Sequence, residues 1–179
     1  MDGIFGSRSA VPEVTRPAPA CVLVDARDGL AQEAFEAAAE TLFTAVRENG
    51  MVALWIRRSC GELGHYPRRA AEHGFTAVAC ANNPARMSPG GSGGPVLGTN
   101  PLAYAVPRPD AAPLVIDQAS SGTAHVNVRG KAEAAEPIPE GMVVGPDGAP
   151  PPTPPPPSPA RCSPSAATAA ATWPCSSNS

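Results

Sequence analysis

Ten of the chain's 24 prolines lie in its last 31 residues, a segment holding seven alanines, six serines, no acid and one base, Arg161. A stretch so poor in bulky apolar side chains cannot bury enough surface to offset the entropy of ordering it. A packed core must therefore come from residues 1–148, and residues 149–179 are expected to form a disordered tail. Taken literally, Pro150 to Pro159 is a polyproline-II ligand of the kind that aromatic grooves bind, which would make the chain an interaction module. The total of 179 residues leaves room for one folded domain.

Thirteen basic against sixteen acidic side chains leave a net charge of −3. That balance gives no electrostatic footprint for nucleic acid or for an anionic membrane, so neither partner is expected. The longest uninterrupted apolar run, Met51 to Ile56, has six residues, too few to cross a bilayer. Residues 1–10 carry no basic-then-apolar leader, so secretion is not indicated. Five cysteines (Cys21, Cys60, Cys80, Cys162 and Cys175) are odd in number and share no metal-ligand spacing. A cytoplasmic setting and no metal are the expectation. Lys131 is the only lysine against twelve arginines, and isoleucine appears four times. That bias points to a GC-rich, bacterial genome.

Strand and helix patterns alternate along residues 1–148. Cys21 to Asp25 is a short β-rich run ended by an Asp28-Gly29 turn. Ala31 to Arg47 carries Phe35, Ala38, Leu42, Phe43 and Val46 at helical spacing, with Asn49-Gly50 as its stop. Met51 to Ile56 and Phe75 to Ala81 read as strands, with a helix from about Pro67 to His73 between them. Leu102 to Val106 and Pro113 to Ile116 read as two further strands, and Gly122 to Ala135 as a weak helix. The class is α+β, a mixed α/β chain.

No G-x-G-x-x-G follows a strand and no Walker loop is present. The loop Ser88 to Gly94 could cradle a phosphate, but a plain connection is the simpler reading. His65 and His73 read as surface histidines beside Arg68 and Arg69. Asp117, Ser120 and His125 do not make a triad, because no nucleophile elbow surrounds either Ser120 or Ser121.

The run Pro95-Val-Leu-Gly-Thr-Asn-Pro-Leu-Ala-Tyr-Ala-Val-Pro107 resembles the malate/L-lactate dehydrogenase family, which is distinct from the Rossmann lactate dehydrogenases. Pro113-Leu-Val-Ile-Asp-Gln-Ala-Ser-Ser121 and Glu136-Pro-Ile-Pro-Glu-Gly141 follow in the family's order. Leu23-Val-Asp25, Gly29 and Gln32 match its L-V-D-x-x-x-G-x-x-Q. The resemblance spans about residues 12–148. It implies a non-Rossmann dinucleotide-binding domain on a mostly antiparallel sheet with flanking helices, here incomplete. It implies NAD or NADP as cofactor, hydride transfer to C2 of a 2-oxo acid or cyclic imino acid, and a homodimer when complete. On the same resemblance, Thr99 would bind the substrate carboxylate or carbonyl, and Asp117, Gln118 and Ala119 would contact the dinucleotide.

Three departures stand out. The family's proton-donating histidine lies in an S-H-G motif, and no S-H-G occurs in this sequence. The family's S-x-H-F-G motif appears as Ser59-Cys60-Gly61-Glu62-Leu63, so its cofactor role would fall on Gly61, Glu62 and Leu63. Asn127 stands at the family's supporting aspartate, and an amide cannot stabilise an imidazolium as a carboxylate does.

The tail also has a reading in the genetic code. Pro-Pro-Pro-Thr at 150–153 can be encoded CCA CCA CCG ACC. Read one base earlier, those bases give Pro-Thr-Thr-Asp, which resembles the family's continuation after E-P-I-P-E-G. The agreement extends in register to the end of the chain, and Trp173 constrains it tightly. The expectation is an impaired, frameshifted member of the family, with residues 1–148 as a partial catalytic domain. An inactive remnant and the proline-rich interaction module are the alternatives.

Overall fold

The computed structural model describes residues 10–57, 61–85, 87, 96–137, 143 and 167–174, with the backbone alone at 125, 126 and 167–174. The elements run β1 (Glu13–Ala18), β2 (Cys21–Asp25), α1 (Ala31–Asn49), β3 (Val52–Arg57), α2 (His65–Glu72), β4 (Phe75–Ala81), β5 (Leu102–Arg108), β6 (Ala111–Gln118), α3 (His125–Glu133) and β7 (Ala167–Pro174). The sheet order is β1-β2-β3-β7-β4-β5-β6. Only β2 and β3 pair in parallel, with α1 as their connection; every other pairing is antiparallel. The α+β class with a mostly antiparallel sheet therefore holds.

The helix α1 forms because its apolar residues recur on one face. Ala34, Phe35, Ala38, Leu42, Phe43 and Val46 are buried. Each large one stabilises the fold by about 1.5–3 kcal/mol through removal from water. The helix stops at Gly50, whose φ of 76° is left-handed and whose N–H donates to Val46 O at 2.8 Å. Beneath it the strands alternate: Val52, Leu54 and Ile56 face the core, while Trp55 is exposed. Ala77 and Ala79 of β4 and Ala103 and Ala105 of β5 are buried too. Their small side chains leave room for Tyr66 and Ala70 of α2, which are also buried. Phe43 stacks on Phe75 with centroids 5.4 Å apart.

Two strands were not legible. β1 lacks apolar alternation, contains Pro17 and lies at the sheet's edge, where a missing amide is tolerated. β7 comes from the tail, whose composition predicts no regular structure. It runs antiparallel between β3 and β4, and Ala170 is paired with Leu54 on one side and Ala79 on the other. Backbone pairing supplies the reason. β3 and β4 have no pairing with each other, and β7 pairs with both, from Val52 to Arg57 on one side and Phe75 to Ala81 on the other. The Pro150–Pro159 run lies outside the described residues.

Two compact units emerge. One comprises Met1–Asn82, Pro101–Gln118 and Pro164–Ser179, and so holds the sheet with α1 and α2. The other comprises Asn83–Asn100 and Ala119–Ser163, with α3.

Ala170→Pro removes an amide in the middle of the sheet. It is expected to lower the unfolding free energy by more than about 2 kcal/mol in urea titrations of the full chain. An unchanged midpoint would mean that the sheet does not depend on β7.

Candidate functional site

The segment before α2 is shaped by two glycines. Gly61 has φ 60°, and a side chain there would put its Cβ 2.7 Å from Gln32 Nε2. Gly64 donates its N–H to Asp117 Oδ2 at 2.7 Å. A Cβ on Gly64 would stand 3.0 Å from both the Cβ and Oδ2 of Asp117, so only glycine permits this approach without a shift. Leu63 is buried in the core, while Glu62 is exposed and paired with Arg68 at 2.7 Å. Asp117 and Gln118 end β6, both exposed, opposite Ala103 and Leu102 of β5. One bond thus joins the stretch 61–64 to the end of β6.

The second unit builds a tight turn around Thr99. Gly98 packs so closely that a Cβ there would lie 2.1 Å from Asn83 O. Asn100 takes a left-handed φ of 33° and accepts the Asn83 N–H on its Oδ1 at 3.0 Å. Thr99 is half-buried; its Oγ1 accepts from Asn83 Nδ2 at 2.9 Å, and its carbonyl accepts from Ser120 N at 3.0 Å. Ser120 directly follows Ala119, which is exposed.

The malate/L-lactate dehydrogenase family model matches residues 6–156. The chain belongs to this family. It is 38% identical over 143 residues to a Delta(1)-pyrroline-2-carboxylate/Delta(1)-piperideine-2-carboxylate reductase of Pseudomonas putida, covering 79% of this chain and 42% of that protein. It is 41% identical over 131 residues to a (2R)-3-sulfolactate dehydrogenase (NADP(+)) of Chromohalobacter salexigens, covering 72% of this chain and 39% of that protein. The crystal structure of a delta1-piperideine-2-carboxylate reductase from Pseudomonas syringae superposes with a TM-score of 0.68 at 36% identity, over 82% of this chain and 45% of that one. The chain thus spans about two-fifths of the length of the curated relatives it matches.

Within this family member, Asn127 lies exposed in the first turn of α3 and takes no part in the bonds around Thr99. The loop Ser88–Gly94 lies outside the described residues, as does the side chain of His125. Among the described residues no cluster of His, Cys, Asp and Glu could hold a metal, and no helix is long and apolar enough to cross a membrane.

His73 is exposed, in keeping with a surface histidine, whereas His65 is half-buried. His73 lies against the Phe43 ring at 4.4 Å between centroids. His65 opens α2 beside Phe35 and Tyr66, and its Nε2 is buried without a hydrogen-bond partner among the described residues. Glu36 Oε1 stands 3.9 Å away but is engaged by Arg69 Nε at 2.7 Å. Burial holds the His65 imidazole below its usual pKa, helped by Arg68 and Arg69 and opposed by Glu36 and Glu62. The Arg69 hydrogen bond holds the Glu36 carboxyl below the usual range. Helical spacing alone carries no mark of this cluster, because Glu36 comes from α1 and Arg69 from α2.

A histidine whose folded pKa is depressed takes up its proton more readily in the unfolded chain. Stability should therefore fall as pH drops below about 6.5, the unfolded value, and level off below the folded pKa. Glu36 adds a loss at lower pH, as it protonates. His65→Gln should flatten the first step in pH-dependent urea unfolding; an unaltered slope would remove His65 as its source.

Proposed function

We propose that this chain is an oxidoreductase of the malate/L-lactate dehydrogenase type, acting between NAD(P)H and C2 of a 2-oxo acid or cyclic imino acid. The observation that carries the reading is the bond from Gly64 N to Asp117 Oδ2. It ties Asp117 to the residue directly after Gly61 to Leu63, the other stretch to which the resemblance gives the cofactor. The residues fit a dinucleotide. Arg68 in α2 supplies a guanidinium that suits a phosphate, whereas the Gly64 N–H is taken by Asp117, the Tyr66 N–H by Leu63 O, and Pro67 has none. The Asp117 carboxylate suits a ribose hydroxyl while anchoring the loop. The cofactor, when bound, supplies the hydride. Thr99 offers its hydroxyl to the substrate carboxylate or carbonyl oxygen.

The relatives support the substrate class, since one is named for cyclic imino acids and another for a 2-hydroxy acid with NADP(+). In this reading the complete protein is a cytoplasmic homodimer. Residues 1–148 are part of its catalytic domain, and 149–179 are the product of a one-base slip near Ala149. Asn127 in place of an aspartate leaves the proton donor without a supporting carboxylate, which weakens proton donation.

NADPH oxidation should be slow but measurable with Δ1-piperideine-2-carboxylate, pyruvate or oxaloacetate. Thr99→Ala should raise KM on the order of tenfold, and Asp117→Ala should weaken NADPH binding measured by fluorescence. Complete inactivity with every substrate would leave an inactive remnant. The coding DNA decides the tail: if no single insertion or deletion near codon 149 restores the family continuation, the slip is wrong.

A further inference from the structure

A threonine hydroxyl has one proton to give and two lone pairs to receive with. Whether Thr99 can serve a carboxylate depends on where that proton points. Asn83 Nδ2 donates to Thr99 Oγ1 at 2.9 Å, in a part-buried setting. This bond occupies a lone pair and leaves the hydroxyl proton for another acceptor.

Asn83 is itself held on two sides. Its N–H donates to Asn100 Oδ1 at 3.0 Å, and its carbonyl lies where a Cβ on Gly98 would stand, 2.1 Å away. The Thr99 backbone is fixed in turn by the 3.0 Å bond from Ser120 N. Neither partner of the Asn83–Thr99 bond is free to drift.

We propose that Asn83 is a positioning residue for substrate binding: by donating to Thr99 Oγ1 it turns the hydroxyl proton toward the carboxylate or carbonyl oxygen of the substrate. The inference rests on the reading of Thr99 as a substrate ligand. No sequence motif marks Asn83, which lies 16 residues before its partner.

Asn83→Asp separates positioning from mere support. A carboxylate of the same shape accepts where the amide donated. The Thr99 hydroxyl then satisfies the bond by giving its proton to Asp, so the turn keeps its tie and the substrate loses its donor.

The test uses the full chain saturated with NADPH and titrates pyrrole-2-carboxylate, a planar carboxylate, by calorimetry. Asn83→Asp should weaken binding about tenfold or more with little change in Tm, Thr99→Ala should weaken it similarly, and Thr99→Ser should keep it. Combining Asn83→Asp with Thr99→Ala should add no further loss. Simple charge repulsion from the new carboxylate would persist in the Thr99→Ala background, so additive losses overturn the proposal. Unchanged binding by Asn83→Asp, with Thr99→Ala weakened, also overturns it. Where Asn83→Asp fails to fold, Asn83→Ala replaces it, and binding as tight as wild type again refutes positioning. If the wild type does not bind the probe, or Thr99→Ala binds it unchanged, the reading of Thr99 falls and the inference with it.

Discussion

The sheet depends on backbone pairing that bulky side chains do little to announce. β3 and β4 pair with neighbours on their outer sides, β2 and β5, but not with each other. Everything from β1 to β3 is thus joined to everything from β4 to β6 through the two ladders of β7. That strand is read Ala-Thr-Ala-Ala-Ala-Thr-Trp-Pro, a sequence of low strand propensity apart from its threonines and tryptophan. Its place in the sheet follows from the cost of leaving two rows of amides and carbonyls unpaired, which outweighs weak propensity.

Close approach of backbone is the second constraint, and glycine supplies it in both units separately. Gly64 lets a helix start come within a hydrogen bond of Asp117. Gly98 lets a turn close on the carbonyl of Asn83, where no side chain could fit. In each case the glycine is beside a residue that the family resemblance marks as functional, Leu63 in one and Thr99 in the other. The polar atoms at these turns are held by named partners, Gly64 N by Asp117 and Thr99 Oγ1 by Asn83.

Most of the sheet and both packed helices were legible, α1 from its helical periodicity and β2 and β3 from short apolar runs bounded by turns. Phe75 to Ala81 has its observed bounds in the sequence, and α1 differs only by two residues at its end. β1 and β7 were not legible: one is an edge strand with an internal proline, the other a small-residue strand fixed by its neighbours. Thr99 and Asp117 could be singled out from motif resemblance, but their partners could not. Asn83 and Gly64 are ordinary residues in the sequence and acquire meaning only from distances across 16 and 53 positions. The His65 environment was missed for the same reason, since burial under Phe35 depends on how α1 and α2 pack.

The departures from the family pattern and the preserved features differ in the physics they demand. On the proposed reading, binding an anion or a ribose falls to Thr99 and Asp117, whose hydrogen bonds to Asn83 and Gly64 are already formed. Moving a proton needs a group that titrates and a counter-charge that stabilises it. Asn127 is neutral and exposed, so it offers no counter-charge, whatever the geometry around it. On that reading recognition and proton transfer are separable: the first rests on hydrogen bonds already formed, and the second on a charge that residue 127 does not carry.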